Sequence, residues 1–322
     1  MTIPSRAQLH RTLPEAGKIQ LSVRAPFNFR YTFWKPSHFE THLEAHSKAV
    51  TWRTFRLAEK CIGVRFQQNS RGVIAVLFAD CRLTTEDRNR LSRRIDVAYG
   101  LSEDLRQFSK LARADSATAS AARFLRGMRM SCPESLFEIS IISLLLQNTT
   151  ISRTTQMMHN ILVHHGIPVT FDGVSLFAFP SPAELAAVTE QTLRLHCRLG
   201  YRAKYLPAFA TFFKDIDDEV LRACGPVRVA ELLQKVKGVG PYTAGVIASH
   251  SMRDFSALSL DVWNTPIAST ALFGRPEVGQ SVVRRTLTKR FSQFSGLALL
   301  YMTEFAFRKK PVVQLIDGGI SP

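Results

Sequence analysis

The sequence LLQKVKGVGPYTAGVIASHSMRDFSALSLD, Leu232–Asp261, holds two helical patterns joined by glycines and ends in an acid. Apolar residues recur at helical spacing over Val227–Val236, which predicts an amphipathic helix. Gly238 and Gly240 interrupt that pattern, and Pro241 suits the first turn of a second helix because its missing N–H costs nothing there. These residues therefore predict a tight hairpin between two helices.

The predicted hairpin is suited to an anion. The first N–H groups of a helix have no partner within that helix and carry the positive end of its dipole, so they favour phosphate. Lys237 adds a positive charge beside them, and Thr243 lies in the first turn of the second helix. An ordinary turn between two helices, without a ligand, explains the glycines equally well.

An acid follows the second helix in an unusual setting. Asp261 is preceded by Leu258-Ser259-Leu260 and followed by Val262-Trp263. A carboxylate among apolar and aromatic residues costs free energy to bury unless it has partners or a task. Asp261 is therefore the candidate functional acid of the chain.

Together these two features resemble a known family. The stretch GVGPYTAG, followed about twenty residues later by the acid in LSLDVW, is similar to the helix-hairpin-helix DNA glycosylase superfamily, in which G-[VI]-G-x-x-[TA]-A precedes [VL]-x-D. The resemblance is to the three-domain branch of bacterial 3-methyladenine and 8-oxoguanine DNA glycosylases. It implies that Asp261 is catalytic and that Gly238, Val239 and Gly240 grip a DNA strand, with Lys237 and Thr243 beside them.

The first hundred residues have a different pattern. Apolar residues alternate from Ile19 through Val23 and again from Phe27 to Phe33, which predicts strands. Further strands are predicted at 51–57, 61–67 and 73–79, and helices at 38–46 and 84–99. An antiparallel sheet layer with two helices is expected here, and the glycosylase branch named above contains such a layer.

Beyond residue 101 the pattern becomes helical, so the predicted fold class is α+β: an N-terminal antiparallel sheet layer with helices, followed by an all-α helical module containing the helix-hairpin-helix. The predicted organisation is a flexible N-terminus at 1–18, an α+β sheet domain at 19–110 and a helical glycosylase module at 111–322. Within that module the hairpin occupies 232–252 and the catalytic segment 255–264.

Two further stretches resemble the family. Gln147 and Asn148 end a predicted helix, where relatives place an amide that faces DNA. An amide can fill the gap left by a flipped base, so Asn148 is the candidate plug; the alternative is that both residues simply end the helix. In the run LGYRAKY, Arg202 and Lys204 are candidate phosphate contacts and Tyr201 a candidate pocket residue, although basic residues on a helix are commonly just solvated.

The charge of the whole chain favours a polyanionic partner. Lysine and arginine number 42 against 26 acids, which gives a net charge of +16 and an isoelectric point near 10.1. Nucleic acid is the favoured partner, with simple solubility or an anionic membrane surface as alternatives.

The cysteines and the hydropathy restrict cofactors and location. Five scattered cysteines, none at C-x₂-C spacing, predict a reducing compartment, no metal site and no family-type iron–sulfur cluster. The sequence has no apolar run long enough for a transmembrane helix. A soluble monomer is expected, located in the cytoplasm of a bacterial-type cell and associated with the nucleoid. No cofactor is expected, although the resemblance allows a monovalent cation at the hairpin.

The resemblance predicts a damaged base in double-stranded DNA as the substrate. One carboxylate is enough to stabilise the positively charged sugar formed when the N-glycosidic bond breaks. Relatives with lyase activity have a lysine where this chain has Tyr242, so a monofunctional hydrolase is predicted, without cleavage of the backbone. An aromatic ring at Tyr242 favours alkylated bases, which carry positive charge; Tyr201, Trp263 and Phe305 complete the predicted pocket.

Three alternatives remain open at this point. Within the family, the substrate can be an oxidised purine of the 8-oxoguanine type. Outside it, the hairpin can belong to a DNA-binding protein without catalysis, in which an acid near phosphate has no purpose. A basic metabolic enzyme with a coincidental hairpin is the third, but the sequence lacks G-x-G-x-x-G, P-loop, H-E-x-x-H and G-x-S-x-G patterns.

Overall fold

A computed structural model describes residues 10–47 and 49–309 of the chain. It divides into two compact units, each assembled from separate parts of the sequence. Unit 1 comprises Met1–Arg24, Phe39–Ser102 and Ser131–Arg253, and unit 2 comprises Ala25–His38, Glu103–Met130 and Asp254–Pro322.

The described residues contain eight strands and fifteen α-helices. The strands are β1 Arg11–Thr12, β2 Glu15–Leu21, β3 Glu44–His46, β4 Val50–Leu57, β5 Lys60–Asn69, β6 Gly72–Phe78, β7 Ile167–Phe171 and β8 Val174–Ala178. The helices are α1 Phe29–Phe33, α2 Thr85–Tyr99, α3 Arg106–Ala114, α4 Ala119–Phe124, α5 Leu136–Leu145, α6 Ile151–His165, α7 Pro182–Ala186, α8 Glu190–Leu195, α9 Leu206–Lys214, α10 Asp218–Ala223, α11 Gly225–Leu233, α12 Pro241–Met252, α13 Asn264–Phe273, α14 Gln280–Phe291 and α15 Ser295–Lys309.

A five-stranded antiparallel sheet forms the first layer of unit 1, in the order β2-β6-β5-β4-β3. One face buries Phe55, Ile62 and Leu77 completely or nearly so, and the other buries Cys61, Val76 and Phe78 against the strand Ile167–Phe171. Helix α2 follows the sheet and begins with a capping box, in which Thr84 and Asp87 each bond the other's backbone N–H.

Helix α5 is the centre of the helical part of unit 1, because every one of its residues is buried. Its one acid, Glu138, lies 3.1 Å from the Arg53 guanidinium of β4. Burial raises the pKa of the Glu138 carboxyl to about 7, and the positive charge of Arg53 opposes that rise. The central helix and the sheet are thus joined by a buried ion pair as well as by apolar packing.

A second, three-stranded sheet has the order β1-β7-β8, with β1 and β7 parallel and β7 and β8 antiparallel. Strands β7 and β8 are joined by Asp172-Gly173, both at positive φ, which is the geometry of a two-residue hairpin. The prediction that everything after residue 111 is helical is therefore wrong for this hairpin.

Two predicted elements in the first hundred residues differ from the structure. The alternating aromatics ending in Phe33 form helix α1 instead of a strand, because Asn28 caps it by accepting a hydrogen bond from the Tyr31 N–H. The predicted helix at 38–46 is replaced by turns and strand β3, which pairs with β4. Pairing with a neighbouring strand overrides local helix preference here.

Unit 2 is helical. Helix α15 packs against α13, α14 and α4. The core of unit 2 includes the fully buried Phe108, Phe291 and Leu297. The Tyr301 hydroxyl donates to the Met128 carbonyl at 2.8 Å, so this buried aromatic residue has its polar group satisfied.

The α+β fold class is confirmed: an antiparallel sheet comes first and a helical region follows. The compact units, however, do not follow the predicted boundary near residue 110, because unit 2 combines segments from three parts of the sequence. The predicted flexible segment at 1–18 lies outside the described residues as far as residue 9, and its later part contains β1 and the start of β2.

Candidate functional site

The hairpin of unit 1 lies between α11 and α12, close to the predicted position. Gly238 has φ +96°, and a Cβ placed on it would come 2.7 Å from Cγ of Tyr205. Val236 and Val239 are buried on either side of it. The bend therefore needs glycine at position 238, both for its backbone angle and for the close approach of an aromatic ring.

The other hairpin residues face outward. Lys237 and Gly240 are exposed, and Tyr242 is 55% exposed. Gly240 is the N-cap of α12 and no side chain caps this helix. The N-terminus of α12, a position of the kind that favours anions, is therefore not closed by a side chain of its N-cap residue, and Lys237 lies beside it in the sequence.

Gln147 connects the end of α5 to this hairpin. Its side-chain amide nitrogen donates to the carbonyl of Gly238 and to the hydroxyl of Thr243, both at 3.3 Å. Thr243 is itself buried. Gln147 and Thr243 therefore hold the hairpin in place, a task that the sequence did not reveal.

Asn148 is the residue of this loop that projects. It is exposed and has φ +45°, a conformation that asparagine tolerates better than most residues. The candidate plug Asn148 is thus exposed, whereas the side chain of its neighbour Gln147 is hydrogen-bonded to the hairpin.

The run containing Tyr201, Arg202 and Lys204 is a 3₁₀-helix rather than an α-helix. Arg202 is buried, and it donates to the carbonyls of Leu144 and Gln147. Burial lowers the pKa of this guanidinium. These contacts give Arg202 the task of fixing the C-terminus of α5, so the predicted phosphate contact of Arg202 is replaced by a positioning role.

Tyr201 and Lys204, the other two candidates of this run, are exposed. The Tyr201 hydroxyl donates to the Gln147 carbonyl at 3.3 Å. The Lys204 ammonium lies 4.7 Å from the centre of the Tyr205 ring, the same ring that packs against Gly238. Within unit 1, the structure therefore brings Lys204, Tyr201 and Asn148 together around the hairpin.

In unit 2, Asp261 is half-buried and lies three residues before the start of α13. Its Oδ1 accepts hydrogen bonds from the N–H groups of Trp263 and Asn264, each at 2.8 Å. The Asn264 side chain in turn accepts from the Asp261 N–H at 3.0 Å. The second oxygen, Oδ2, has no hydrogen bond to any residue between 10 and 47 or 49 and 309.

Three residues that support this acid were not predicted. Asn264 holds the turn from both sides, since its amide also donates to the Ser259 carbonyl at 2.8 Å. Its D-x-x-N spacing from Asp261 is a detectable signal, because it mimics a capping box. Arg284 donates to the Leu258 carbonyl, and Gly296 approaches so closely that a Cβ would lie 2.4 Å from the Ala257 carbonyl oxygen; neither has a sequence signal.

The two remaining pocket candidates also belong to unit 2. Trp263 is 49% exposed. Phe305 of α15 is half-buried and meets the exposed Phe124 edge to face, with ring centres 5.7 Å apart. The Lys309 ammonium lies 4.4 Å from the centre of the Phe305 ring. Phe305 therefore belongs to an aromatic surface, in contrast to the closed core beneath it.

All five cysteines are free thiols. No cluster of three or more metal-ligating side chains exists among the described residues, and no described helix has the length and hydropathy needed to cross a membrane. The absence of an iron–sulfur cluster and the possible cation at the hairpin stay predictions.

Comparison with known sequences finds distant relatives, and no family model matches the chain. A probable N-glycosylase/DNA lyase of Methanothermobacter thermautotrophicus is 25% identical over 247 residues, covering 71% of this chain and 78% of that protein. The N-glycosylase/DNA lyase OGG1 of Arabidopsis thaliana is 28% identical over 67% of this chain and 61% of its own length. The DNA-3-methyladenine glycosylase of Bacillus subtilis is 22% identical over 60% and 65%.

Comparison with solved structures establishes the fold. A 3-methyladenine DNA glycosylase from Archaeoglobus fulgidus superimposes with a TM-score of 0.75 at 17% identity, covering 94% of this chain and 99% of that one. An 8-oxoguanine glycosylase/lyase from Clostridium acetobutylicum, solved with double-stranded DNA, gives 0.61 at 22% identity over 84% and 98%.

Proposed function

We propose that this chain, whose homologues and structural neighbours are helix-hairpin-helix DNA glycosylases, is a monofunctional DNA glycosylase of base excision repair. It flips a damaged base out of duplex DNA and hydrolyses the N-glycosidic bond. The observation that carries the proposal is the Asp261 carboxylate, which has one oxygen fixed by two N–H groups and the other without a partner in the described chain.

The chemistry needs one positioned negative charge. When the bond between C1′ and the base breaks, its electron pair leaves with the base and positive charge develops on the sugar. The Oδ2 atom of Asp261 stabilises that charge, because the N–H groups of Trp263 and Asn264 keep the carboxylate in one orientation. Water then adds to C1′, and its proton passes to the carboxylate or to solvent.

The hairpin region supplies the grip on the strand. The uncapped N-terminus of α12 takes a phosphate group on its N–H donors, and Lys237 and Lys204 add positive charge. Asn148 enters the stack where the base has left it and bonds the orphaned partner base. Gln147 and Arg202 position these groups through the contacts described above.

The substrate that we favour is an alkylated base. The rings of Tyr242 and Tyr201 in unit 1 and of Trp263 and Phe305 in unit 2 are electron-rich, and a positively charged alkylated purine gains about 0.5–2 kcal/mol over such a ring. Charged bases are also good leaving groups, so a single carboxylate is sufficient.

The residue at position 242 supports the proposal that lyase activity is absent. Formation of a Schiff base at the sugar requires an amine there, and this chain has tyrosine. Lys237 precedes the bend and serves phosphate binding in this proposal. In this proposal the protein acts as a monomer on the nucleoid, in the cytoplasm of a bacterial-type cell. It needs no cofactor other than a monovalent cation at the hairpin.

One observation favours a second candidate within the same reaction class. Two of the relatives are named N-glycosylase/DNA lyase and one structural neighbour is an 8-oxoguanine glycosylase/lyase. An oxidised purine is therefore the alternative substrate. A DNA-binding protein without catalysis is the alternative from another class.

The experiment that separates these candidates is base release from four duplexes, containing 3-methyladenine, 7-methylguanine, hypoxanthine or 8-oxoguanine. We expect release of a methylated purine, an intact backbone next to the abasic site, and no covalent adduct with borohydride. Release of 8-oxoguanine alone supports the oxidised-purine candidate, and a strong borohydride adduct contradicts the monofunctional mechanism. Binding without release from any duplex supports the non-catalytic alternative.

A further inference from the structure

A second basic surface lies in unit 2 and uses none of the residues assigned above. Arg106, Lys110 and Arg113 stand on α3 and Arg126 follows α4; all four are exposed. They line an open groove of about 560 Å³. Among its described lining residues, none is acidic.

The order of residues on α3 explains why these cations share one side. Phe108 and Ala112 are buried in the core of unit 2, so the residues spaced four and three apart from Arg106 to Arg113 point away from it. Seven residues of helix rise by about 10 Å. The groove therefore presents a row of positive charge along the length of one helix face.

Most of this charge is not neutralised within the protein. Arg106 pairs with Asp104, with Nε 2.9 Å from Oδ1. In contrast, Lys110, Arg113 and Arg126 make no ion pair or side-chain hydrogen bond with the residues that the structure describes. The nearby Asp115 is paired with Arg290 of α14 at 3.4 Å, so that acid is already engaged.

Like charges spaced along one helix face repel each other and destabilise the helix. Binding of an anion from outside relieves this repulsion, so a row of cations without acids between them attracts a polyanion. Along one strand of duplex DNA the phosphates follow each other at about 3.4 Å of axial rise, so a row of about 10 Å covers several of them.

We propose that the groove of Arg106, Lys110, Arg113 and Arg126 is an accessory binding surface for the phosphate backbone of duplex DNA. This inference rests on the proposed function, which brings duplex DNA to the protein, but it concerns residues that neither grip the lesion strand nor touch the base. The groove contributes affinity that is independent of sequence and of damage, because it contacts phosphate alone.

The test compares two charge-matched double variants on an undamaged duplex. Lys110→Gln/Arg113→Gln removes two cations of the groove, and Lys18→Gln/Arg71→Gln removes two exposed cations from the sheet of unit 1. Each phosphate contact contributes about 0.9 to the slope of log affinity against log salt concentration. We expect the slope to decrease by about 1.8 in the groove variant and to stay unchanged in the sheet variant.

An unchanged slope in the groove variant overturns the proposal, and so does an equal decrease in both variants, which reflects net charge alone. Loss of binding to polyglutamate without loss of binding to DNA also overturns it, in favour of an acidic protein. Base release by the wild-type protein is measured separately. If no base is released but the groove variant lowers the slope, the DNA surface stands and the glycosylase proposal fails.

Discussion

Asp261 divides two tasks between the two oxygens of one carboxylate. Its Oδ1 accepts two backbone N–H groups in the turn that leads into helix α13, whereas its Oδ2 has no partner in the described chain. The acid therefore has a structural reason to be where it is, independent of any substrate. A substitution can separate the two tasks because asparagine retains the first and loses the second.

Asp261→Asn is expected to reduce base release by about 10²–10⁴-fold, since the amide carries no negative charge. The free energy of unfolding should change by less than about 0.5 kcal/mol, because the oxygen of an asparagine amide accepts such backbone N–H groups about as well as a carboxylate oxygen does. Single-turnover base release and urea denaturation measure the two effects.

The control is Asp261→Ala, which also loses the two hydrogen bonds from the Trp263 and Asn264 N–H groups and should be less stable by about 1 kcal/mol. Wild-type rates of base release in Asp261→Asn would falsify the assignment of this residue.

Asn148 permits a similarly clean substitution. Glycine adopts φ +45° without strain, so Asn148→Gly removes the amide and keeps the loop. We expect base release from duplex DNA to fall about 10- to 100-fold, since the unstacked state costs a few kcal/mol that the plug offsets. Release from single-stranded DNA, which has no gap to fill, should not change; a similar loss on both substrates argues against the plug.

The two hairpin glycines have different physical requirements, although the sequence pattern treats them alike. Gly238→Ala forces a positive φ and a contact with Tyr205 that is too short, so it should destabilise the protein by about 1–3 kcal/mol. Gly240 has φ −85° and open space where its Cβ would stand. Gly240→Ala should cost no more than about 1 kcal/mol yet weaken DNA binding, because the methyl group occupies the place of a phosphate.

Denaturation and DNA affinity measured on both variants test this contrast. If Gly240→Ala binds DNA like the wild type, the uncapped N-terminus of α12 is not the phosphate site.

The start of α2 predicts a pH dependence of stability. Hydrogen bonds from Lys60, at 2.6 Å, and from the N–H and hydroxyl of Thr84 lower the pKa of the Asp87 carboxyl to about 2. Between about pH 4 and pH 2 the unfolded chain binds the proton more readily, so the contribution of Asp87 to stability is lost as the pH falls through this range.

Asp87→Asn should accordingly be less stable than the wild type by about 1 kcal/mol at pH 7, and the difference should vanish near pH 2. Thermal denaturation across this pH range is the measurement, and a constant difference excludes the carboxylate as its cause.

Elements with strong local signals were predictable from the sequence. The proline and glycines of the hairpin mark the start of α12, and the strand patterns at 51–57, 61–67 and 73–79 locate β4, β5 and β6 to within two residues. Strand β3 and helix α1 were mispredicted since their short sequences take the structure of their surroundings. The Asp172-Gly173 hairpin carried a clear signal that the helical interpretation overlooked.

The candidate site was predictable only in part, for a similar reason. Asp261, Asn148 and the hairpin belong to compact sequence patterns that can be read directly. Arg202 and Gly296 depend on carbonyl groups distant in the sequence, Leu144 and Ala257 respectively. No local pattern encodes such contacts, so a buried arginine was taken for a phosphate contact.

At the scale of the whole molecule, the net charge of +16 predicts strongly salt-dependent binding. With six or more phosphate contacts, affinity for undamaged duplex DNA should fall by about 10³-fold or more between 50 and 200 mM salt. Fluorescence anisotropy over this range measures it. If the affinity changes by less than about tenfold over this salt range, the protein makes few phosphate contacts. Such a result contradicts the interpretation that the positive charge of the protein serves DNA binding.

The interleaving of the two units along the sequence has a consequence for biosynthesis. Every segment of unit 1 has left the ribosome once Arg253 emerges, whereas Ala25–His38 and Glu103–Met130 must wait for the residues from Asp254 to Lys309. At about 5–20 residues per second this delay lasts roughly 3–11 s. During that time α15 has not been synthesised, so the apolar faces of α3 and α4 lack the helix that packs in the same core. If translation pauses in this interval, these faces are exposed to chaperones before Asp261 has reached its folded position.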